Sequence, residues 1–360
     1  MQGGDMVSSK ASYLFEDYFN YKFPQPQYLG AKFKHLSWIY KYIPDNIHTV
    51  LDAFSGSQSV AFYFKQKGYR VYTNDFLNFN HHIGMGLVEN NHQRLDENDI
   101  DILFSDNQNH EHYNLMDRLF TGIFFTQQES RFLDSFRSNI DCLENDYKKS
   151  LAFAIINRSM TRKVTMGHFA HNKALDYANN PERVKRNRSL VRPLRDIFLD
   201  LLPQYNEAIF DNHQGNKSFN QDAISLIHHL KDEIDLLYLD PPYCGSHADY
   251  QSFYHLLETY SRYWKNKEFK NANNRYFPKI YSGFETKQEI MSSFENLFEK
   301  SKNIPYWMIS YNDRSYPAQD DMISLIKKYK NVELHKKEYS NDVGGKGSVQ
   351  GSHELLFMCF

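Results

Sequence analysis

Asp240, Pro241, Pro242 and Tyr243 directly follow the apolar run LLYL, and no other stretch of the chain constrains a chemistry so tightly. Each proline fixes its own φ and lacks an N–H, and the residue before it is pushed out of the helical region. The backbone leaving the strand is thus held extended, and both the Asp240 carboxylate and the Pro241 carbonyl are free to accept hydrogen bonds. Two acceptors side by side, backed by the aromatic face of Tyr243, fit the exocyclic amine of a flat base. They would take its two N–H hydrogens and bias the nitrogen lone pair toward an incoming methyl group, while the ring stacks on Tyr243. The plainer alternative is a rigid strand exit carrying a surface aspartate.

A second group of residues stands near the start of the chain. Asp52, Ser55, Gly56 and Ser57 make a tight glycine-containing turn between an apolar run and a helical pattern, a place suited to a polar small molecule. Asp75 closes the next apolar run, 23 residues after Asp52, about where an acidic residue meets ribose hydroxyls in Rossmann-type sites. The full G-x-G-x-x-G pattern is absent, so an ordinary α/β turn explains this group equally well.

The elements that must position these residues follow from periodicity. IHTVLDAF (47–54) reads as a strand, SVAFYFKQKG as a helix closed by Gly68, and YRVYTNDF as a second strand, so 47–76 forms a βαβ unit and implies a parallel sheet. From Asn78 to Asn216 the patterns turn helical, as in EHYNLMDRLF and RSLVRPLRDIFLDLL, with no clear strand. Strand signals resume in IDLLYLDPPY, PYWMISYND (305–313) and HELLFMCF (353–360). An α/β pattern that is interrupted and then resumed predicts a Rossmann-like α/β fold with a mostly helical insertion of ~130 residues.

The 360 residues exceed one ordinary domain, in keeping with two units. Cys142, Cys244 and Cys359 show no paired spacing, which argues against a disulfide framework, a zinc site and the Pro-Cys nucleophile of cytosine-C5 methylation. His81-His82 and His228-His229 lack metal-ligand spacing, so no metal is expected. With no signal core or apolar run of membrane-spanning length, a cytoplasmic protein is expected. The net charge of −2 hides an uneven distribution: Arg158 to Arg195 carries ten Lys/Arg against Asp176 and Glu182, a balance of +8. Arg262 to Lys279 adds six Lys/Arg and one Glu among Tyr263, Trp264, Phe269, Tyr276 and Phe277. Such patches suit a phosphate backbone, although a solvated helical face explains either one alone.

Taken in order, these segments resemble the alpha-class, Dam-like (D12 class) N6-adenine-specific DNA methyltransferases. YLGAKFKHLSWI (28–39) looks like the N-terminal cofactor motif and VLDAFSGS (50–57) like the glycine-rich motif. SFNQDAISLI (218–227) looks like the segment before the DPPY strand, and WMISYNDRS (307–315) and HELLFMCF like the later core strands.

The resemblance implies a class I S-adenosylmethionine-dependent core over 1–78 and 216–360 and a target-recognition domain over 79–215. It places Tyr28, Gly30 and Lys32 at the methionine end of S-adenosylmethionine, with Asp52 nearby and Phe54, Ser55 and Gly56 in the loop. Asp75 falls on the ribose, Asp222 on the cofactor adenine, and Asp240 beside the methyl donor. Arg162, Lys163, His168, Lys173, Arg186 and Arg188 become candidates for contact with double-stranded DNA, and a cognate restriction endonuclease is an expected partner. One departure is Gln58, which stands where the family usually has a further glycine. The segment 246–283 reads as a lid, a second DNA-contacting loop or a plain exposed insertion. Methylation of RNA adenine or cytosine N4, or a DNA-binding homologue without catalysis, are the alternatives.

Overall fold

The computed structural model describes residues 20–25, 27–106, 112–164, 167–170, 174–242, 244, 249–264, 282–338 and 353–360. Tyr243 and Lys173, both singled out above, lie outside this set.

β1 (Thr49–Asp52) and β4 (Leu236–Leu239) are short apolar runs buried on both faces, which is what the middle of a parallel sheet requires. They pair directly, Val50 opposite Leu236, and β1 pairs on its other side with β2 (Arg70–Asn74) through the helix Ser59–Gln66. β3 (Lys217–Phe219) continues the parallel sheet beyond β2, and β5 (Tyr306–Asn312) continues it beyond β4. β7 (His353–Cys359) then enters antiparallel between β5 and β6 (Val332–Glu338), giving the order β3-β2-β1-β4-β5-β7-β6.

This is the α/β architecture expected, and the βαβ unit falls where the apolar pattern placed it. β6 was not anticipated. Its sequence VELHKKE reads as polar, and it can be so because it is an edge strand, where lysines discourage further pairing.

Among the described residues between 79 and 215 there is no strand, only an isolated bridge from Thr121 to Phe125. The long helices Gln127–Cys142 and Asp146–Arg162 start at well-formed caps. Thr126 and Glu129 make a reciprocal capping box, and Asn145 accepts from Tyr147 and Lys148 N–H. None of the described helices is long and apolar enough to cross a membrane.

Alternation along the strands splits the core in two. Leu51, Leu237, Trp307 and Leu355 face a layer holding the helices Ala223–Leu230 and Ile290–Ser301. Val50, Leu236, Met308 and Leu356 face the other side, where they share one continuous apolar core with Phe136, Ile155 and Phe198 of the inserted helices.

Candidate active site

The chain leaves β1 toward β2 and β3 on one side of the sheet and later returns to add β4 and β5 on the other. The reversal lies between β1 and β4, and open α/β sheets bind ligands at the carboxyl ends of the strands at such a point. A cavity of about 260 Å³ opens there. It is lined from the end of β1 by Asp52, Phe54, Ser55 and Gly56, from β2 by Asp75, and from β4 by Asp240 and Pro242. Tyr28, Gly30 and Lys32 close it from the N-terminal segment, and Asp222 from the turn before the helix Ala223–Leu230.

The turn after β1 is pinned to the end of β2. Ser55 donates to the Asn74 carbonyl through both its N–H (2.9 Å) and its hydroxyl (2.7 Å). Gly56 N–H donates to Asp75 Oδ2 at 2.8 Å, and Leu77 N–H donates to Oδ1 at 2.8 Å. Gly56 has φ +44°, and a Cβ there would lie 2.9 Å from the Tyr28 ring, so glycine is required by both backbone and space. Gly30 is similar: φ is +76° and an added Cβ would meet the Tyr250 hydroxyl at 2.8 Å.

Gln58 meets the expected need for a glycine in another way. It adopts φ +65°, the left-handed conformation a glycine would take, and its side chain is fully buried away from the cavity. Its amide donates to Ser55 Oγ (2.8 Å) and the Asn80 carbonyl (3.2 Å) and accepts from the Thr73 hydroxyl.

Carboxylates dominate the electrostatics. Lys32 Nζ lies 2.8 and 3.0 Å from the two Asp240 oxygens and 3.2 Å from the Gly30 carbonyl. Asp52 is 1% exposed, and only the backbone N–H groups of Ala61 and Phe54, neither well aligned, approach its side-chain oxygens. Burial first, and then the charges of Asp240 and Asp75, hold its carboxyl well above the usual range; the N–H groups of Ala61 and Phe54 only temper this. Asp75 is pushed up to about 6 by burial, against the opposing effect of the N–H groups it accepts from. A buried acidic cavity with weakly bonded oxygens and two glycine cradles suits a small molecule with a cationic end and hydroxyls.

Asp222 both lines the cavity and caps the helix Ala223–Leu230, accepting from Ser225 N–H at 2.8 Å. Several lining residues escaped the sequence reading. Tyr250 and Arg262 line the cavity from the helices Tyr250–Phe253 and His255–Arg262, and Tyr254 packs behind them at the junction of the two helices, so the described part of 246–283 is a packed wall of the cavity, not an exposed insertion. Tyr28 stacks on Tyr254 with ring centroids 4.7 Å apart, and the Tyr254 hydroxyl accepts from Leu29 N–H at 2.8 Å. Arg262 donates to the Phe76 carbonyl (3.3 Å) and Asn220 Oδ1 (3.2 Å) and is paired with the buried Glu258. Nothing local in the order Tyr-x-x-x-Tyr-His-x-x-Glu, just after the proline motif, says which wall it forms.

The basic segment divides. Lys163 is 6% exposed, lies 2.6 Å from Glu129 and donates to the Arg192 carbonyl at 2.8 Å. His168 is buried edge-on against Phe253. Both are occupied inside the protein, because each continues the buried face of the helix or loop that carries it. Arg162 is half-buried, whereas Arg186 and Arg188 are exposed, as are Arg183 and Lys185 beside them.

Residues 28–325 match the family model of the D12 class N6 adenine-specific DNA methyltransferases. The Type II methyltransferase M2.HphI of Haemophilus parahaemolyticus is 32% identical over 346 residues, covering 94% of this chain and 98% of that protein. The Type II methyltransferase M.FokI of Planomicrobium okeanokoites is 27% identical over 84% of this chain and 47% of its own length. The modification methylase LlaI of Lactococcus lactis subsp. lactis is 24% identical over 92% of this chain and 53% of its own length. The chain thus spans about half of these last two relatives. With the family match running from the Tyr28 segment through both groups of cavity carboxylates, the chain belongs to the D12 class of N6 adenine-specific DNA methyltransferases.

Proposed function

We propose that this chain methylates N6 of an adenine everted from duplex DNA, with S-adenosylmethionine held in the cavity at the end of β1. When bound, that molecule supplies an electrophilic methyl group on a cationic sulfonium. Asp75 supplies negative charge and, together with Asp52, acceptors for its cationic and hydroxyl-bearing parts, and Phe54, Tyr28 and the backbone of Gly56 shape the walls. Asp222 takes the adenine end, and Lys32 with Gly30 the methionine end.

Asp240 and the Pro241 carbonyl receive the two N6 hydrogens of the target base, which aligns the nitrogen lone pair. Tyr243 provides the stacking face. The amine is a poor nucleophile while its lone pair is conjugated into the ring, and two fixed acceptors favour the geometry that frees it. Tyr250, backed by the stacked Tyr28 and Tyr254 rings, covers one side of the cavity and limits the access of water to the reacting nitrogen.

Residues 79–215 act as the target-recognition domain. The exposed cations Arg183, Lys185, Arg186 and Arg188, with Arg162 at their edge, contact phosphates, and Lys163 and His168 hold that surface in place. The kinship with type II methyltransferases supports a restriction-modification setting with a cognate endonuclease.

The observation that carries the reading is that Asp240, at the proline-stiffened exit of β4, opens on the same cavity as Asp75 and Gly56. Asp240→Ala should lower methyl transfer to duplex DNA about a thousandfold or more. Cofactor affinity, measured by calorimetry, should stay within a few-fold. Unchanged transfer in that variant refutes the assignment, as does label found only in RNA or only in N4-methylcytosine.

A further inference from the structure

Glu354 lies in β7, is 3% exposed and sits among residues that are otherwise apolar and buried. An ionised carboxylate in such a place is costly unless a cation and hydrogen bonds compensate it, so its presence calls for a reason. Its Oε1 accepts from Ser310 Oγ at 2.8 Å and lies 3.5 Å from Lys32 Nζ. The same ammonium is 2.8 and 3.0 Å from the two oxygens of Asp240. Lys32 therefore stands between a half-buried carboxylate and a fully buried one, closely paired with Asp240 and more loosely with Glu354.

This arrangement poses a problem for the chemistry. Both Asp240 oxygens are held by the ammonium, which competes with the target amine for their position and their charge. A buried ammonium drawn away from Asp240 needs another carboxylate to offset the cost of its burial. Glu354 meets that need, since closing the gap from 3.5 Å to an ordinary 2.8 Å contact transfers the ammonium with little motion. Ser310, on the adjacent strand β5, holds the receiving oxygen in place.

We propose that Glu354 is a positioning residue for methyl transfer: it receives the Lys32 ammonium as Asp240 turns to the N6 amine of the target base. The inference rests on Asp240 being the acceptor of that amine. No bond is made or broken; one ion pair is exchanged for another within the same buried cluster.

Glu354→Gln keeps the size of the side chain and an acceptor for Ser310 while removing the charge. Expected is a roughly ten- to hundredfold fall in the single-turnover rate, comparable to other small misplacements at reacting centres. Cofactor affinity and the KM for DNA should stay within about twofold, because only the transition-state arrangement is affected. In a Lys32→Met background, where no ammonium remains to be received, the same substitution should cause no further loss.

A full rate for Glu354→Gln in the otherwise native enzyme overturns the proposal, and so does an equal proportional loss in both backgrounds, which marks a merely structural role. Should Glu354→Gln not fold, Ser310→Ala is the second variant. It is expected to lower the single-turnover rate several-fold with affinities unchanged, and an unchanged rate there overturns the proposal as well. An inactive Asp240→Ala alongside a fully active Glu354→Gln sinks this inference alone; an active Asp240→Ala sinks the reading beneath it.

Discussion

Charge is handled in opposite ways at the two ends of the molecule's working surface. In the cavity Asp52, Asp75 and Asp240 are drawn together at three strand ends, with Lys32 bound among them. Across 183–188 Arg183, Lys185, Arg186 and Arg188 are exposed, on a short helix and the turn after it. The first arrangement is buried, acidic and rigidly placed, so each charge is strong and specific. The second is exposed, basic and screened by salt, so its charges act together and none is decisive. A small cationic ligand needs the former and a long polyanion the latter.

Lys163 tests where the border between these regions runs. It belongs to the basic segment by sequence but to the interior by position, paired with Glu129. Lys163→Met should cost about 1–2 kcal/mol of folding stability, since it removes the cation from a half-buried carboxylate that keeps its capping bonds from Thr126. Urea denaturation measures this, and the salt dependence of DNA binding should not change. A loss of DNA affinity with full stability would move Lys163 to the surface group.

Asp75 sharpens the cavity side. Burial lifts its carboxyl from 3.8 to about 6, and only the ionised form can accept strongly from ribose hydroxyls while both oxygens keep their bonds from Gly56 and Leu77 N–H. Cofactor affinity should therefore fall as pH drops below about 6, by up to roughly tenfold per pH unit, and Asp75→Asn should flatten the profile. Stability runs the other way: for a carboxyl raised by burial, the contribution is complete below 3.8 and is lost as pH rises through about 6. Calorimetric titrations from pH 5 to 8 decide the matter, and a flat native profile would remove Asp75 from the ligand.

The smallest effect expected is at Arg186. Arg186→Gln should leave stability within about 0.5 kcal/mol and reduce the salt slope of DNA binding by about one. An unchanged slope would take this residue out of the phosphate-contacting face.

The cavity was legible in the sequence because backbone constraints announce it. Pro241 and Pro242 stiffen one strand exit, Gly56 permits the turn after another, and Asp52, Asp75 and Asp240 each stand where an apolar run ends. Tyr250, Tyr254, Arg262 and Glu354 were not legible, since their roles arise from packing between elements far apart in the chain. The buried state of Lys163 had a local signal that charge counting overlooked. It lies three and four residues after the buried Met160 and Ser159, on the same face of the helix Asp146–Arg162. β6 was missed because Glu333, Lys336 and Lys337 mask its strand period, which only its edge position makes tolerable.

The apolar core shared by Val50, Leu236 and Met308 with Phe136, Ile155 and Phe198 bears on how new sequence specificities could be engineered. Grafting residues 79–215 from a relative would replace packing partners of one sheet face, so a chimera must carry matching strand residues along with the graft. Altering a few exposed side chains on the short helix Pro181–Arg186 touches none of that core, and is the gentler route to tuning affinity for the phosphate backbone.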